Sequence, residues 1–270
     1  MPVAVITGAS KGLGRALGAA LAGRGWDLVV DARSAGPLED AARGMRRAGA
    51  RVVALPGDVT DAGHRTALVA AARELGGLDL LVNNASVLGA EPLVRLEEHP
   101  LDGLRAALEV NAVAPLGLVQ EALPLLRASS LYGTSAPSSY IGDGNDSSSY
   151  KGTEARENGE TTLRGAGSGG AVLNISSDAA AEAYETWGGY GAAKAALDQL
   201  SAVLAVEEPG LRVWWVDPGD MRTDLYAAAV PGDDSARPLP ETVVPALLRL
   251  LDAGAASGRY AAPGLLDGAR

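Results

Sequence analysis

Seven short runs of apolar, largely β-branched residues punctuate this chain, and most are separated by alanine-rich stretches long enough for helices. This alternation constrains the fold more than any other feature. The runs are "VAVIT" (3–7), "DLVVDA" (27–32), "RVVALPG" (51–57), "LDLLVNNA" (78–85), "AVLNIS" (171–176), "LRVWWV" (211–216) and "GRYAA" (258–262). Most are continuously apolar rather than alternating with polar residues, which suits strands buried on both faces. Helices are predicted over 12–25, 38–49, 61–76, 93–110, 112–128, 190–207 and 241–254, the last interrupted by Pro245. Strands followed by helices imply an α/β fold, a doubly wound parallel sheet of about seven strands with helices on both faces.

One segment departs from this pattern. Residues 129–170 are rich in Ser, Gly, Asn and Thr, with no visible period. We read them as a flexible or weakly ordered insertion, rooted at the N-terminal edge of the sheet and away from the ligand crevice. The remainder suits one domain over residues 1–270. The chain has no cysteine, so disulfide and thiol chemistry are excluded. Its two histidines, His64 and His99, are too few and too far apart to suggest a metal site. A net charge of −10 argues against nucleic acid or an anionic membrane as partner. No signal peptide and no apolar run of membrane-spanning length is visible, so the expected location is the cytoplasm.

Two local patterns carry chemistry. "TGASKGLG" (7–14) follows the first strand and opens the first helix, with glycines at 8, 12 and 14. Gly8 allows a tight turn, and Gly12 and Gly14 let backbone N–H groups and the helix N-terminus approach a pyrophosphate. The second pattern is Tyr190 and Lys194 in "YGAAK", which share one helical face. Tyr184, Tyr226 and Tyr260 have no lysine four residues on. Only three lysines stand against 20 arginines. Lys151 lies in the insertion, and the other two fall at the glycine turn and at Tyr190 + 4. Position 194 therefore looks selected for an ammonium group. A nearby cation would favour the phenolate and lower a phenol pKa that is ordinarily about 10.

The glycine turn, "NNA" (83–85), Asn111, Ser177, Tyr190-x-x-x-Lys194 and Pro218-Gly219, in this order, resemble the single-domain branch of the short-chain dehydrogenase/reductase family. The resemblance spans nearly the whole chain outside the insertion, and Ser86 stands where the family usually has glycine. It implies a Rossmann-like fold and hydride transfer between a nicotinamide cofactor and a small-molecule carbonyl or alcohol. By resemblance Tyr190 is the general acid/base, Lys194 lowers its pKa and holds the nicotinamide ribose, Ser177 orients the carbonyl oxygen, and Asn111 holds a water in a proton relay. The cofactor site would comprise Gly8, Ser10, Lys11, Gly12, Leu13 and Gly14 at the turn. Asp58 and Val59 would lie at the adenine, and Asn84 and Ala85 beneath the ribose. Pro218, Gly219 and Thr223 would lie at the nicotinamide. An acid at the end of the second strand would select NAD(H), but the discriminating position falls at Ala32, next to Arg33. Arg33 and Lys11 would bind a 2′-phosphate, so NADP(H) is expected over NAD(H). The family also implies a homodimer or homotetramer packed through the long helices after strands four and five. The substrate pocket is expected to draw on Leu88, on 178–188 with Tyr184 and Trp187, and on residues after Thr223, with Glu182 and Glu185 making its mouth acidic. The other function weighed is a regulatory or scaffold protein that binds the cofactor with little turnover.

Overall fold

All seven predicted strands pair in parallel in a single sheet, in the order β3-β2-β1-β4-β5-β6-β7. The computed structural model describes residues 1–132 and 169–267. The strands are β1 (Val3–Ile6), β2 (Asp27–Ala32), β3 (Val52–Pro56), β4 (Leu80–Asn83), β5 (Ala171–Ile175), β6 (Arg212–Asp217) and β7 (Gly258–Ala261). The helices are α1 (Gly12–Gly23), α2 (Ala35–Arg47), α3 (Ala62–Leu75), α4 (Leu101–Leu108), α5 (Ala114–Ala128), α6 (Gly188–Glu207), α7 (Asp224–Ala229), α8 (Val244–Ala253) and α9 (Ala262–Asp267).

Successive strand side chains point to opposite faces, and this divides the core in two. Ala4, Ile6, Leu28, Val30, Leu80 and Val82 pack with α1, α2 and α8 on one face. Val3, Val5, Val29, Leu81 and Val172 pack with α3 and α5 on the other. Because both faces are covered, the strands needed no polar alternation. Strand order reverses between β1 and β4, which opens a crevice at the carboxyl ends of the strands, where ligands bind in such sheets.

Three expectations need correction. Residues 93–100 are not helical; α4 begins only after Pro100, whose ring disfavours helix at the preceding residue. The gap expected near 111 is instead a π-turn, Glu109–Val113, which joins α4 to α5. Pro245 falls in the first turn of α8, where its missing N–H is harmless. The short helices α7 and α9 were not anticipated, since six residues carry too little periodicity. The segment read as an insertion is narrower at its ends than 129–170. Tyr132 donates from its hydroxyl to Leu251 O (3.0 Å) and stands edge-on to Trp214, and Gly170 N–H donates to Leu126 O (2.8 Å). Both ends are rooted beside Asp79, at the start of β4, as expected for the N-terminal edge. The expectation of flexibility concerns 133–168, which lie outside the described residues.

Candidate active site

The carboxyl ends of the strands border a cleft of about 1230 Å³ that takes in nearly every residue singled out from the sequence. Gly8, Ser10, Lys11, Gly12 and Leu13 line one end with Arg33, Asp58, Val59, Asn84 and Ala85; Ser177, Tyr190, Lys194, Pro218, Gly219 and Thr223 line the other. Gly14 and Asn111 do not line it.

At the nucleotide end the glycines answer to contacts. Gly8 has φ +66°, and a Cβ there would lie 2.9 Å from Ala85 Cα. A Cβ on Gly14 would lie 2.5 Å from Asn84 Nδ2 and 2.7 Å from Gly8 O. Gly14 thus serves close packing behind the turn rather than approach to a phosphate. Asn84 ties the turn to β4, donating from Nδ2 to Thr7 O (2.8 Å) and Gly8 O (3.1 Å). Lys11 precedes α1 without a side-chain cap, and the first turn of that helix holds no acid. Its leading N–H groups therefore suit an anion such as a pyrophosphate. The donor set and the size of the cleft fit a dinucleotide together with a small substrate.

At the end of β2, Asp31 is buried and occupied: Oδ1 accepts from Gly8 N–H (2.8 Å), and Oδ2 lies 3.1 Å from His64 Nε2. Asp31 borders the cleft together with Ala32 and Arg33, but its carboxylate is already spent on Gly8 and His64. Lys11 has a partner that the sequence did not suggest, Asp224 at the start of α7, 2.6 Å away with both side chains largely exposed. Asp58 accepts from Thr60 N–H and Oγ1 (2.9 Å each), and these bonds hold its carboxyl below the usual range.

At the other end, Tyr190 and Lys194 project from the first turns of α6 and are buried. Lys194 Nζ donates to Ile175 O (2.7 Å) and lies 5.6 Å from the Tyr190 ring centroid. Burial pushes Lys194 down to about 8. Burial pushes Tyr190 up to about 12, and Asp178 and Asp217 add to the rise. Without a cofactor, desolvation of the phenolate sets the direction of the Tyr190 shift. Ser177 caps the short 3₁₀ turn Asp178–Ala180, accepting from Ala179 N–H (3.2 Å) and donating to Asp178 Oδ1 (2.9 Å). Its neighbour Ser176 is turned away and donates to Asp198 on α6.

Asn111 and Thr223 also make structural contacts. Asn111 is fully buried with its side chain committed: Oδ1 accepts from Val87 N–H (3.0 Å) and Nδ2 donates to Val87 O (2.9 Å). Its side chain thereby pins the loop after β4. Thr223 Oγ1 accepts from Tyr226 N–H (3.2 Å) and caps α7. Glu182 and Glu185 are not among the lining residues; Glu185 pairs with Arg95, and Glu182 accepts from the Tyr184 hydroxyl. Acids that do line this end include Glu91, Asp178, Asp217, Asp220 and Glu241, of which Asp178 lies within the expected 178–188 segment. Burial pushes the Asp217 carboxyl up. Leu88, Tyr184, Trp187 and Leu225 line this end as expected.

The sequence pattern of the short chain dehydrogenase family matches residues 2–133 and 160–233. The chain belongs to this family. The match passes over 134–159, inside the predicted insertion. Sepiapterin reductase from Meriones unguiculatus is 35% identical over 238 residues, covering 84% of this chain and 77% of that protein. Cis-4-hydroxycyclohexanecarboxylate dehydrogenase from Sinomonas cyclohexanicum is 32% identical over 234 residues, covering 86% and 77%. The X-ray structure of alcohol dehydrogenase from the archaeon Thermococcus sibiricus, complexed with 5-hydroxy-NADP, has the same fold. It aligns with a TM-score of 0.75 at 24% identity, covering 97% of this chain and 95% of that one. This short-chain dehydrogenase/reductase is therefore an oxidoreductase with a Rossmann-like fold. No helix among its described residues is long and apolar enough to cross a membrane.

Proposed function

We propose that this enzyme transfers hydride between NADP(H) and a carbonyl/alcohol pair, with Tyr190 as general acid in reduction and general base in oxidation. The observation that carries this is the convergence of Ser177, Tyr190 and Lys194 in the cleft that the glycine turn opens. When bound, the cofactor supplies or accepts the hydride. The uncapped start of α1 binds the pyrophosphate, and Arg33 with Lys11 holds the 2′-phosphate. Asp58 and Val59 flank the adenine, and Asn84 and Ala85 form the floor beneath its ribose. Pro218, Gly219 and Thr223 bound the nicotinamide. Lys194 spends one proton on Ile175 O and keeps two for the ribose hydroxyls and Tyr190. Ser177 orients the carbonyl oxygen by turning its hydroxyl from Asp178.

A phenol held near 12 stays protonated at neutral pH and is ready to donate, which favours reduction. Asp178 and Asp217 place negative charge beside Tyr190 and disfavour carboxylates and acyl-carrier thioesters as substrates. We read the whole chain as one cofactor-binding domain, since all seven strands share one sheet. A homodimer or homotetramer through α5 and α6 would cover the exposed Leu116, Val203 and Val206; a monomeric mass by light scattering would rule it out.

The test is NADPH consumption over ketones, aldehydes, quinones and acyl thioesters. Tyr190→Phe is expected to bind NADPH as the wild type does and to lose about 10²- to 10⁴-fold in turnover. An active Tyr190→Phe enzyme would refute the assignment.

A further inference from the structure

Asp31 places an acid at the border of the cleft, beside Gly8 and two residues before Arg33. A free carboxylate there would repel a 2′-phosphate and would accept from the ribose 2′-hydroxyl of NAD(H). Both of its oxygens are held instead. Oδ1 accepts from Gly8 N–H (2.8 Å), and Oδ2 lies 3.1 Å from His64 Nε2. The Asp31 side chain is 1% exposed and that of His64 only 10%, so water contributes little to either.

The neighbouring loop is shaped to admit the imidazole. His64 lies in the first turn of α3, and its ring sits against Gly57, just after β3. A Cβ on Gly57 would lie 2.3 Å from His64 Nδ1 and 2.4 Å from Cε1. Gly57 has no positive φ, so the ring rather than the backbone conformation calls for glycine there. Asp58, the next acid along, is engaged by Thr60 N–H and Oγ1. Asp31 is therefore the carboxylate that receives the ring. A carboxylate only accepts, so it selects the forms of the imidazole that carry a proton on Nε2.

We infer that His64 is a positioning residue for cofactor selectivity: its Nε2–H holds Asp31 Oδ2 beneath the glycine turn and keeps that carboxylate from opposing a 2′-phosphate. This rests on the reading of Arg33 and Lys11 as the 2′-phosphate site. The chain carries an acid one residue before the position that separates the two cofactors, and an imidazole from α3 engages it from behind. Removing the imidazole leaves Oδ2 without its donor, with its charge less compensated beside the phosphate and its lone pairs open to a ribose hydroxyl.

The test measures dissociation constants for NADPH and NADH by fluorescence titration of the full chain, so it needs no substrate. His64→Leu fills most of the ring's volume without a donor. It is expected to lower the preference for NADPH over NADH by about tenfold, the scale of one hydrogen bond to a charged group. His64→Gln retains an amide donor and is expected to restore most of the preference. In an Asp31→Asn background, where the carboxylate charge is gone, His64→Leu is expected to leave the ratio unchanged. An unchanged ratio in His64→Leu alone would overturn the inference. So would an equal fall in the Asp31→Asn background, or equal loss of both cofactors, because either would mean that the ring only supports the fold. If the wild type prefers NADH but the ratio still moves with His64 through Asp31, the inference stands and the NADP(H) reading falls.

Discussion

At the nucleotide end of the cleft Gly8, Gly14, Asn84 and Ala85 leave no room for a single added carbon. At the substrate end Tyr184 is 43% exposed, and the Asp224 side chain that reaches across to Lys11 is 75% exposed. The first region is shaped by backbone contact, which permits only glycine at several positions. The second is shaped by side chains on short turns and on the six-residue helix α7, where many residue types would fold equally well. One end is therefore written in a restricted alphabet and the other is free to vary with substrate.

The largest effect should come from breaking the backbone-built end. Gly14→Val drives a side chain into Asn84 and the Gly8 carbonyl; overpacking of this kind costs about 1–3 kcal/mol. Because the turn itself shifts, NADPH affinity is expected to fall by about a hundredfold or more. Thermal unfolding and fluorescence titration check this, and an unimpaired variant would show that the end is less rigid than it looks.

The side-chain end should respond to pH. Oxidation needs the phenolate, so its rate is expected to climb about tenfold per pH unit through the range below the phenol's pKa. Reduction needs the protonated phenol and the Lys194 cation. A phenol raised to about 12 stays protonated, so loss of reduction should begin near pH 8, where Lys194 gives up its proton. Rates in both directions from pH 6 to 10 test the signs; parallel profiles would contradict them.

Arg33→Ala sharpens the comparison at a position where the nucleotide end relies on a side chain. Its charge-assisted contact with a 2′-phosphate predicts a roughly ten- to hundredfold fall in the preference for NADPH over NADH. A wild type that prefers NADH would refute the contact altogether. The smallest effect is expected for Asp224→Asn, which frees Lys11 from a pair joining the two ends. Exposed pairs contribute about 0–1 kcal/mol, so NADPH should bind up to about fivefold more tightly. Weaker binding would mean that the pair holds α7 in place for the cofactor.

Much of this site could be read from the chain. The strands emerged from continuous apolar runs, because a sheet covered on both faces leaves no polar alternation to confuse them. Tyr190 and Lys194 emerged from helical spacing and from the scarcity of lysine. The misreadings share a cause. Nothing in the spacing around Asn111 showed that its side chain holds Val87. Glu182 and Glu185 were given the pocket mouth, while Asp178 and Asp217 hold the charge nearest the phenol. Spacing along a helix or strand says which residues share a face, but not which distant chain that face meets.

The sequence alone determined the sheet, the glycine turn and the tyrosine–lysine pair, because each rests on local geometry: strand alternation, left-handed backbone and helical repeat. Only the tertiary structure decided how the site's polar groups are spent. Asp31 goes to His64, 33 residues away, Val87 to Asn111, 24 away, and Lys11 to Asp224, 213 away. Tertiary packing also buries the Tyr190 phenol and so sets its ionisation. Hydrogen bonds and desolvation depend on what surrounds a group in space, and residues so far apart in sequence become neighbours only when the sheet is complete.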